Sequence, residues 1–212
     1  MGDRYKYMKE AQNTDNHFGK IVRIKRNGDV PEDNPFVEGD APEVFSYGHR
    51  NVQGLTVHPQ TGEVWAMEHG PKGGDEVNLI KAGNNYGWPV ISYGVNYSGT
   101  KIGVGNEAPG YEQPEFYWDP SIAPSGTAVY QGEMFPEWNG DLLVGALKYR
   151  MLVHLDRDES GAITGDKAGA WTKKLEAEKN VEETRRLAEA GDKVKMTEMG
   201  RIYRDGTHGM SK

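Results

Sequence analysis

The sequence predicts an all-β fold of short antiparallel strands, and three observations carry the prediction. The 28 Gly and 11 Pro of this 212-residue chain, with Asn and Asp, cut residues 18–155 into short apolar runs. Helical periodicity is nearly absent over that stretch, and strand–turn–strand patterns recur along it. Recurring hairpins pack as stacked or radially arranged antiparallel sheets, in a sandwich or a propeller. The long irregular stretch 84–117 favours the propeller, which gathers such loops on one functional face.

In chain order, Gly19-Lys20-Ile21-Val22-Arg23-Ile24-Lys25 reads as a strand running into Arg26-Asn27-Gly28-Asp29, a strong hairpin signal. Residues 54–58 and 63–67 flank Pro59-Gln60-Thr61-Gly62 as a second hairpin, and 141–147 and 150–155 flank Lys148-Tyr149 as a third. After Gly169 the composition changes. Residues 171–190 hold no Gly or Pro, are rich in helix formers and are stopped by Gly191, which predicts a helix over 172–190. Its sparse apolar positions, Leu175, Val181 and Leu187, predict a largely solvated helix. The expected organisation is a partial propeller over 1–169, a helical insertion over 170–191 and a tail over 192–212.

The balance of 32 Asp+Glu against 25 Lys+Arg, a net charge of -7, supplies no basic stripe for a phosphate backbone, so nucleic acid is not the expected partner. The 5 Trp, 11 Tyr and 5 Phe exceed what disordered chains carry and allow a core. Zero Cys excludes disulfides and Cys-type zinc sites. No run approaches the roughly 18 apolar residues of a membrane span, and MGDRYKYMKE has no signal-peptide h-region. The 6 His form no zinc-binding pair, and there is no nucleophile elbow, Walker loop or dinucleotide fingerprint.

Unusual chemistry is densest in Glu68-His69-Gly70-Pro71-Lys72-Gly73-Gly74-Asp75-Glu76-Val77-Asn78, followed by Gly83-Asn84-Asn85-Tyr86-Gly87-Trp88-Pro89. Gly and Pro hold backbone away from a sheet ladder and leave carbonyls free. Beside Glu68, Asp75 and Glu76, the Gly70 and Pro71 carbonyls make an oxygen set suited to calcium. The same stretch also reads as a glycine-rich loop with solvated acids. Upstream, Arg50 offers a planar fork of donors for a carboxylate or quinone oxygen and Asn51 a neutral donor beside it. A structural salt bridge at Arg50 and a turn role for His49 are the competing reading.

Three ordered motifs, Tyr47-Gly48-His49-Arg50-Asn51-Val52-Gln53-Gly54-Leu55 and the two above, resemble the soluble PQQ-dependent sugar dehydrogenases of the glucose/sorbosone dehydrogenase family, most of all its aldose sugar dehydrogenase branch. Gly2-Asp3-Arg4, Asn16-His17-Phe18-Gly19-Lys20, Ile122-Ala123-Pro124-Ser125-Gly126 and Leu143-Val144-Gly145-Ala146-Leu147-Lys148 add to the likeness.

The resemblance implies part of a six-bladed β-propeller that oxidises aldose sugars with PQQ and calcium and passes electrons to an acceptor, in a periplasmic or secreted setting. It implies that Arg50 and Asn51 contact the quinone oxygens as the catalytic pair. Gly70 and Pro71 would ligate the PQQ-bound calcium, and Glu76 and Tyr86 a second, structural calcium. Lys148 would meet a PQQ carboxylate, and Arg201 and Arg204 stand where the family has an arginine segment near PQQ. The family's catalytic His has no counterpart here, and His49 and His69 lie nearest as replacements. A partial propeller is therefore expected to act weakly alone, or to need a dimer or a complementing N-terminal half. The other readings are a non-catalytic calcium- or ligand-binding scaffold and a carbohydrate-binding module.

Overall fold

The computed structural model describes residues 2–4 and 6–166. The helix expected over 172–190, Arg201 and Arg204 lie outside the described residues. Within them the chain is all-β, and helix is limited to 3-10 segments at Met8–Gln12 and Pro136–Trp138. None is long and apolar enough to cross a membrane.

The strands are β1 (Lys20–Val22), β2 (Val44–Tyr47), β3 (Val52–Val57), β4 (Val64–Glu68), β5 (Asp75–Ile80), β6 (Phe116–Trp118), β7 (Pro124–Val129), β8 (Leu142–Ala146), β9 (Met151–Arg157) and β10 (Ile163–Asp166). They form a two-stranded sheet β1-β2 and two four-stranded antiparallel meanders, β3-β4-β5-β6 and β7-β8-β9-β10. These meanders are propeller-type blades, here called the first and the second. The β3–β4 hairpin forms as the sequence predicts, its turn closed by His58 N–H donating to Glu63 O (2.7 Å) and Gly62 N–H to His58 O (2.8 Å). The β8–β9 hairpin also forms, in register Ala146↔Met151.

The first expected hairpin is corrected. The Asn-Gly turn closes, with Lys25 N–H donating to Asp29 O at 2.8 Å, but β1 pairs with Val44–Tyr47 rather than with the residues that follow the turn. Pro31 and Pro35 lie in that following segment and cannot donate to a ladder. A second correction concerns 68–78, whose C-terminal half is strand β5 rather than loop.

Period-2 alternation gives the first blade two distinct faces. Trp65, Met67, Val77 and Trp118 point toward the second blade and pack with Leu142, Val144, Val153 and Leu155 in the main core. Each such side chain stabilises the fold by about 1.5–3 kcal/mol when fully buried. Val64, Ala66 and Ile80 face the other way, onto Ile21, Phe45 and Tyr86. Glu68 and Asn78 share that second face, because Glu68 pairs with Glu76 and Ala66 with Asn78 across β4 and β5.

The blades meet closely at Gly54 of β3. A Cβ there would lie 2.8 Å from Met67 Cε and 2.9 Å from Thr127 backbone N. Backbone cannot yield as a flexible side chain can. Gly54→Ala is therefore expected to destabilise by about 1–3 kcal/mol through overpacking, read as a lower urea midpoint at unchanged slope. An unchanged midpoint would mean that the seam opens freely.

The loops carrying Arg50, Asn51, Gly70, Pro71 and Lys148 lie at one end of the two blades. The register puts Val52 beside Glu68, Glu68 beside Glu76, Asp75 beside Trp118, and Pro124 beside Ala146. Residues 50–51, 69–74, 119–123 and 147–150 therefore share a rim.

Candidate functional site

On this rim a small pocket of about 10 Å³, room for one water-sized body, is lined by Arg50, Glu68, Gly70, Pro71, Glu76, Tyr86 and Trp88, among others. It brings together Arg50, Gly70, Pro71, Glu76 and Tyr86, each expected from the sequence. Beside it, sharing Arg50, a depression of about 520 Å³ is lined by Gly2, Asp3, Arg4, Arg50, Asn51, Val52 and Gln53. Lys148 is exposed at the β8–β9 turn on the same rim and lines neither. Its ammonium lies over the Tyr149 ring at 4.9 Å.

Arg50 and Asn51 owe their placement to Glu68. This carboxylate, 4% exposed, accepts Arg50 N–H (2.6 Å) and Asn51 N–H (3.2 Å) on one oxygen. On the other it meets His49 Nδ1 (2.9 Å) and Asn78 Nδ2 (3.3 Å). A carboxylate only accepts, so His49 Nδ1 carries the proton toward it, and the Ser46 hydroxyl sits at the other ring nitrogen at 2.8 Å. Burial acts to raise the Glu68 carboxyl, but the His49 charge and these hydrogen bonds outweigh it and hold it below the usual carboxylate range. Glu68 is thus a backbone clamp and not the cation ligand its loop context suggested.

Asp75 is corrected in the same sense. Fully buried, it accepts Gly70 N–H (2.9 Å) on Oδ1, and on Oδ2 the Ser121 hydroxyl (2.6 Å), Ile122 N–H (2.8 Å) and Ala123 N–H (2.9 Å). Adjacent strand residues face opposite ways, so Asp75 turns to the second blade while Glu76 turns to the pocket. Glu76 accepts one long bond, from Asn78 Nδ2 at 3.3 Å. Burial first, and then the Glu68 charge, push its carboxyl up to about 8.

The donor set fits calcium. Among the described residues no backbone hydrogen bond is accepted by the carbonyls of Gly70, Pro71 or Tyr86. The pocket lining contributes the Glu76 carboxylate and holds no Cys. An oxygen-rich set without thiolates suits a hard cation. Gly70 has to be glycine, since a Cβ would collide with the carbonyls of Gly73 and Gly74. The Tyr86 phenol donates to Leu79 O (2.6 Å) and accepts Lys81 N–H (2.9 Å), which leaves the Tyr86 carbonyl as its possible ligand atom.

A planar anionic quinone fits the depression, whose volume is that of a small-molecule site. The Arg50 guanidinium is held over the Trp88 ring (5.4 Å) and donates through Nη1 to His69 O (2.9 Å). Among the described residues no carboxylate pairs with it. Asn51 Oδ1 accepts Gln53 Nε2 at 3.0 Å. His49 offers no free ring nitrogen toward this space. His49 is 1% exposed and held at both nitrogens, and His69 Nε2–H donates to Pro124 O at 2.7 Å.

Sequence reasoning quoted Arg4 and Trp88 only as parts of motifs and gave neither a role. Trp88 braces Arg50 and donates Nε1–H to Asp3 Oδ2 at 2.7 Å. An aromatic between Gly87 and Pro89 was the available signal for it.

The Glucose / Sorbosone dehydrogenase family model matches residues 1–204. The chain is 44% identical over 161 residues to Aldose sugar dehydrogenase YliI of Escherichia coli K12, covering 74% of this chain and 42% of that one. A crystal structure of the soluble aldose sugar dehydrogenase of Escherichia coli in the apo form aligns at TM-score 0.74 and 40% identity, covering 79% of this chain and 49% of the other. The PQQ-bound form of the aldose sugar dehydrogenase of Streptomyces coelicolor aligns at TM-score 0.58 and 30% identity, covering 76% and 42%. The chain spans about two fifths of the length of the curated relatives it matches, 38% and 42% for the first two.

Proposed function

The chain belongs to the glucose/sorbosone dehydrogenase family, and on that premise we propose that it carries the cofactor-binding rim of a PQQ- and calcium-dependent aldose sugar dehydrogenase, in a periplasmic or secreted setting. The observation that supports this most is the junction of the two spaces at Arg50. A pocket rich in oxygen donors and a depression fit for a planar anion share one braced guanidinium.

In this reading PQQ supplies a two-electron acceptor and calcium a Lewis acid when bound. The aldose loses two electrons and two protons and leaves as the lactone, and the electrons pass on to an external acceptor. Gly70 and Pro71 present carbonyl oxygens to the cation, with Glu76 and Tyr86 contributing to a second cation. Arg50 and Asn51 orient the quinone edge, and the fixed charge of Arg50 favours negative charge developing there. Trp88 keeps water from the guanidinium face. Lys148 reaches a carboxylate of the cofactor from the β8–β9 turn. The base that takes the hydroxyl proton belongs to a part of the enzyme outside the described residues.

Arg50→Lys is expected to weaken PQQ binding at least tenfold, because a lysine cannot reproduce a planar fork. Arg23→Lys is expected to leave it unchanged, since Arg23 pairs at the surface with Asp33 (3.1 Å). Titration of the quinone absorbance in calcium buffer measures both. Equal affinities would reduce Arg50 to a structural residue. Absence of PQQ binding to the parent chain, with calcium binding intact, would favour a calcium-binding scaffold or a carbohydrate-binding module.

A further inference from the structure

We propose that Asp75 is a positioning residue that couples the cation loop of the first blade to the loop of the second blade that leads to Lys148. The inference rests on the calcium reading above. Oδ1 of Asp75 fixes Gly70 through its N–H (2.9 Å), and so fixes the peptide next to the Gly70 and Pro71 carbonyls. Oδ2 fixes the backbone of Ile122 (2.8 Å) and Ala123 (2.9 Å), immediately before β7. Those two residues in turn hold the β8–β9 turn, because Leu147 N–H donates to Ala123 O (2.9 Å) and Lys148 N–H to Ile122 O (3.2 Å).

A second observation agrees. Ala123 has φ 55°, left-handed backbone that a non-glycine residue keeps only where its surroundings impose it. The Asp75 carboxylate on its N–H and the Leu147 N–H on its carbonyl impose it here. One carboxylate with no exposure therefore sets the relative position of the Gly70–Pro71 carbonyls and the Lys148 backbone, across the seam between blades.

Asp75→Asn keeps the shape but puts an NH2 against backbone donors. Partners that orient ligands in this way typically change metal affinity by about 10–100-fold, and a loss of that size is expected by calorimetric calcium titration of the folded variant. Ser121→Ala, which removes one of the four bonds, is expected to change affinity less than about threefold. A purely structural Asp75 would lower melting temperature in chelator and leave calcium affinity unmoved, which overturns the proposal. Should Asp75→Asn not fold, amide exchange of the parent chain decides instead. Calcium is expected to protect Ile122, Ala123 and Lys148 as well as residues 70–86, and protection confined to 70–86 overturns the coupling. A parent chain that takes up no calcium would sink the calcium reading itself, before any variant is compared.

Discussion

Glu68→Gln is expected to lower unfolding stability by about 3–5 kcal/mol, the range for breaking a buried charged pair by removing one partner. The carboxylate accepts from Arg50 N–H and Asn51 N–H on one oxygen and from His49 and Asn78 on the other. A glutamine has one accepting oxygen, so its NH2 must face donors on one side or the other. The buried site leaves no water to relieve that mismatch. Because the folded-state carboxyl lies below its unfolded value, its stabilisation is present above about pH 4.3 and is lost as pH falls through the folded value. Urea unfolding of the parent chain should therefore show an acid limb that Glu68→Gln lacks. PQQ affinity should fall with stability, since the backbone of the quinone-facing pair loses its anchor. A variant within about 0.5 kcal/mol of the parent, the usual range for surface substitutions, would show that the clamp carries no weight.

Elements whose information is contiguous were legible in the sequence. The β3–β4 and β8–β9 hairpins each consist of two strands and their own turn, so local pattern suffices. The partner of β1 was not legible, because it begins at Val44, beyond a turn and a proline-containing segment, and long-range pairing leaves no local mark. Within the site, glycine and proline marked Gly70 and Pro71 correctly as backbone set free of the ladder.

The acids were harder to sort. Asp75 and Glu76 are neighbours with the same charge in the same motif, and only the strand that begins at Asp75 sends one to the blade seam and the other to the pocket. Residues 68–78 read as one loop, so that alternation went unused. A carboxylate beside glycines looks the same in sequence whether it meets an ion or a backbone N–H. Glu68 shows this most clearly, since both its oxygens are occupied by protein donors. The bracing of Arg50 by Trp88 spans 38 positions (88 minus 50), out of reach of any local pattern.

Calcium affinity is expected to fall below pH 8, approaching about tenfold per pH unit well below it for one displaced proton, or about fiftyfold between pH 8 and pH 6. The Glu76 carboxyl is raised to about 8 by burial and by the Glu68 charge, so in the metal-free chain it holds a proton that a cation must displace. The sign for stability follows. Between the ordinary carboxylate value, about 4.3, and about 8 the folded state binds a proton that the unfolded state does not. The metal-free chain therefore loses stability as pH rises through that window. Saturating calcium replaces the proton and removes the trend, so the gap in melting temperature between calcium and chelator should widen from pH 6 to pH 8. Calorimetry in two buffers of different ionisation heat should find nearly one proton released per calcium at pH 6–7, and Glu76→Gln should lose both the proton release and most of the affinity. Equal calcium affinity at pH 6 and pH 8 in the parent chain would remove the Glu76 carboxylate from the second cation site and leave the Tyr86 carbonyl there without it.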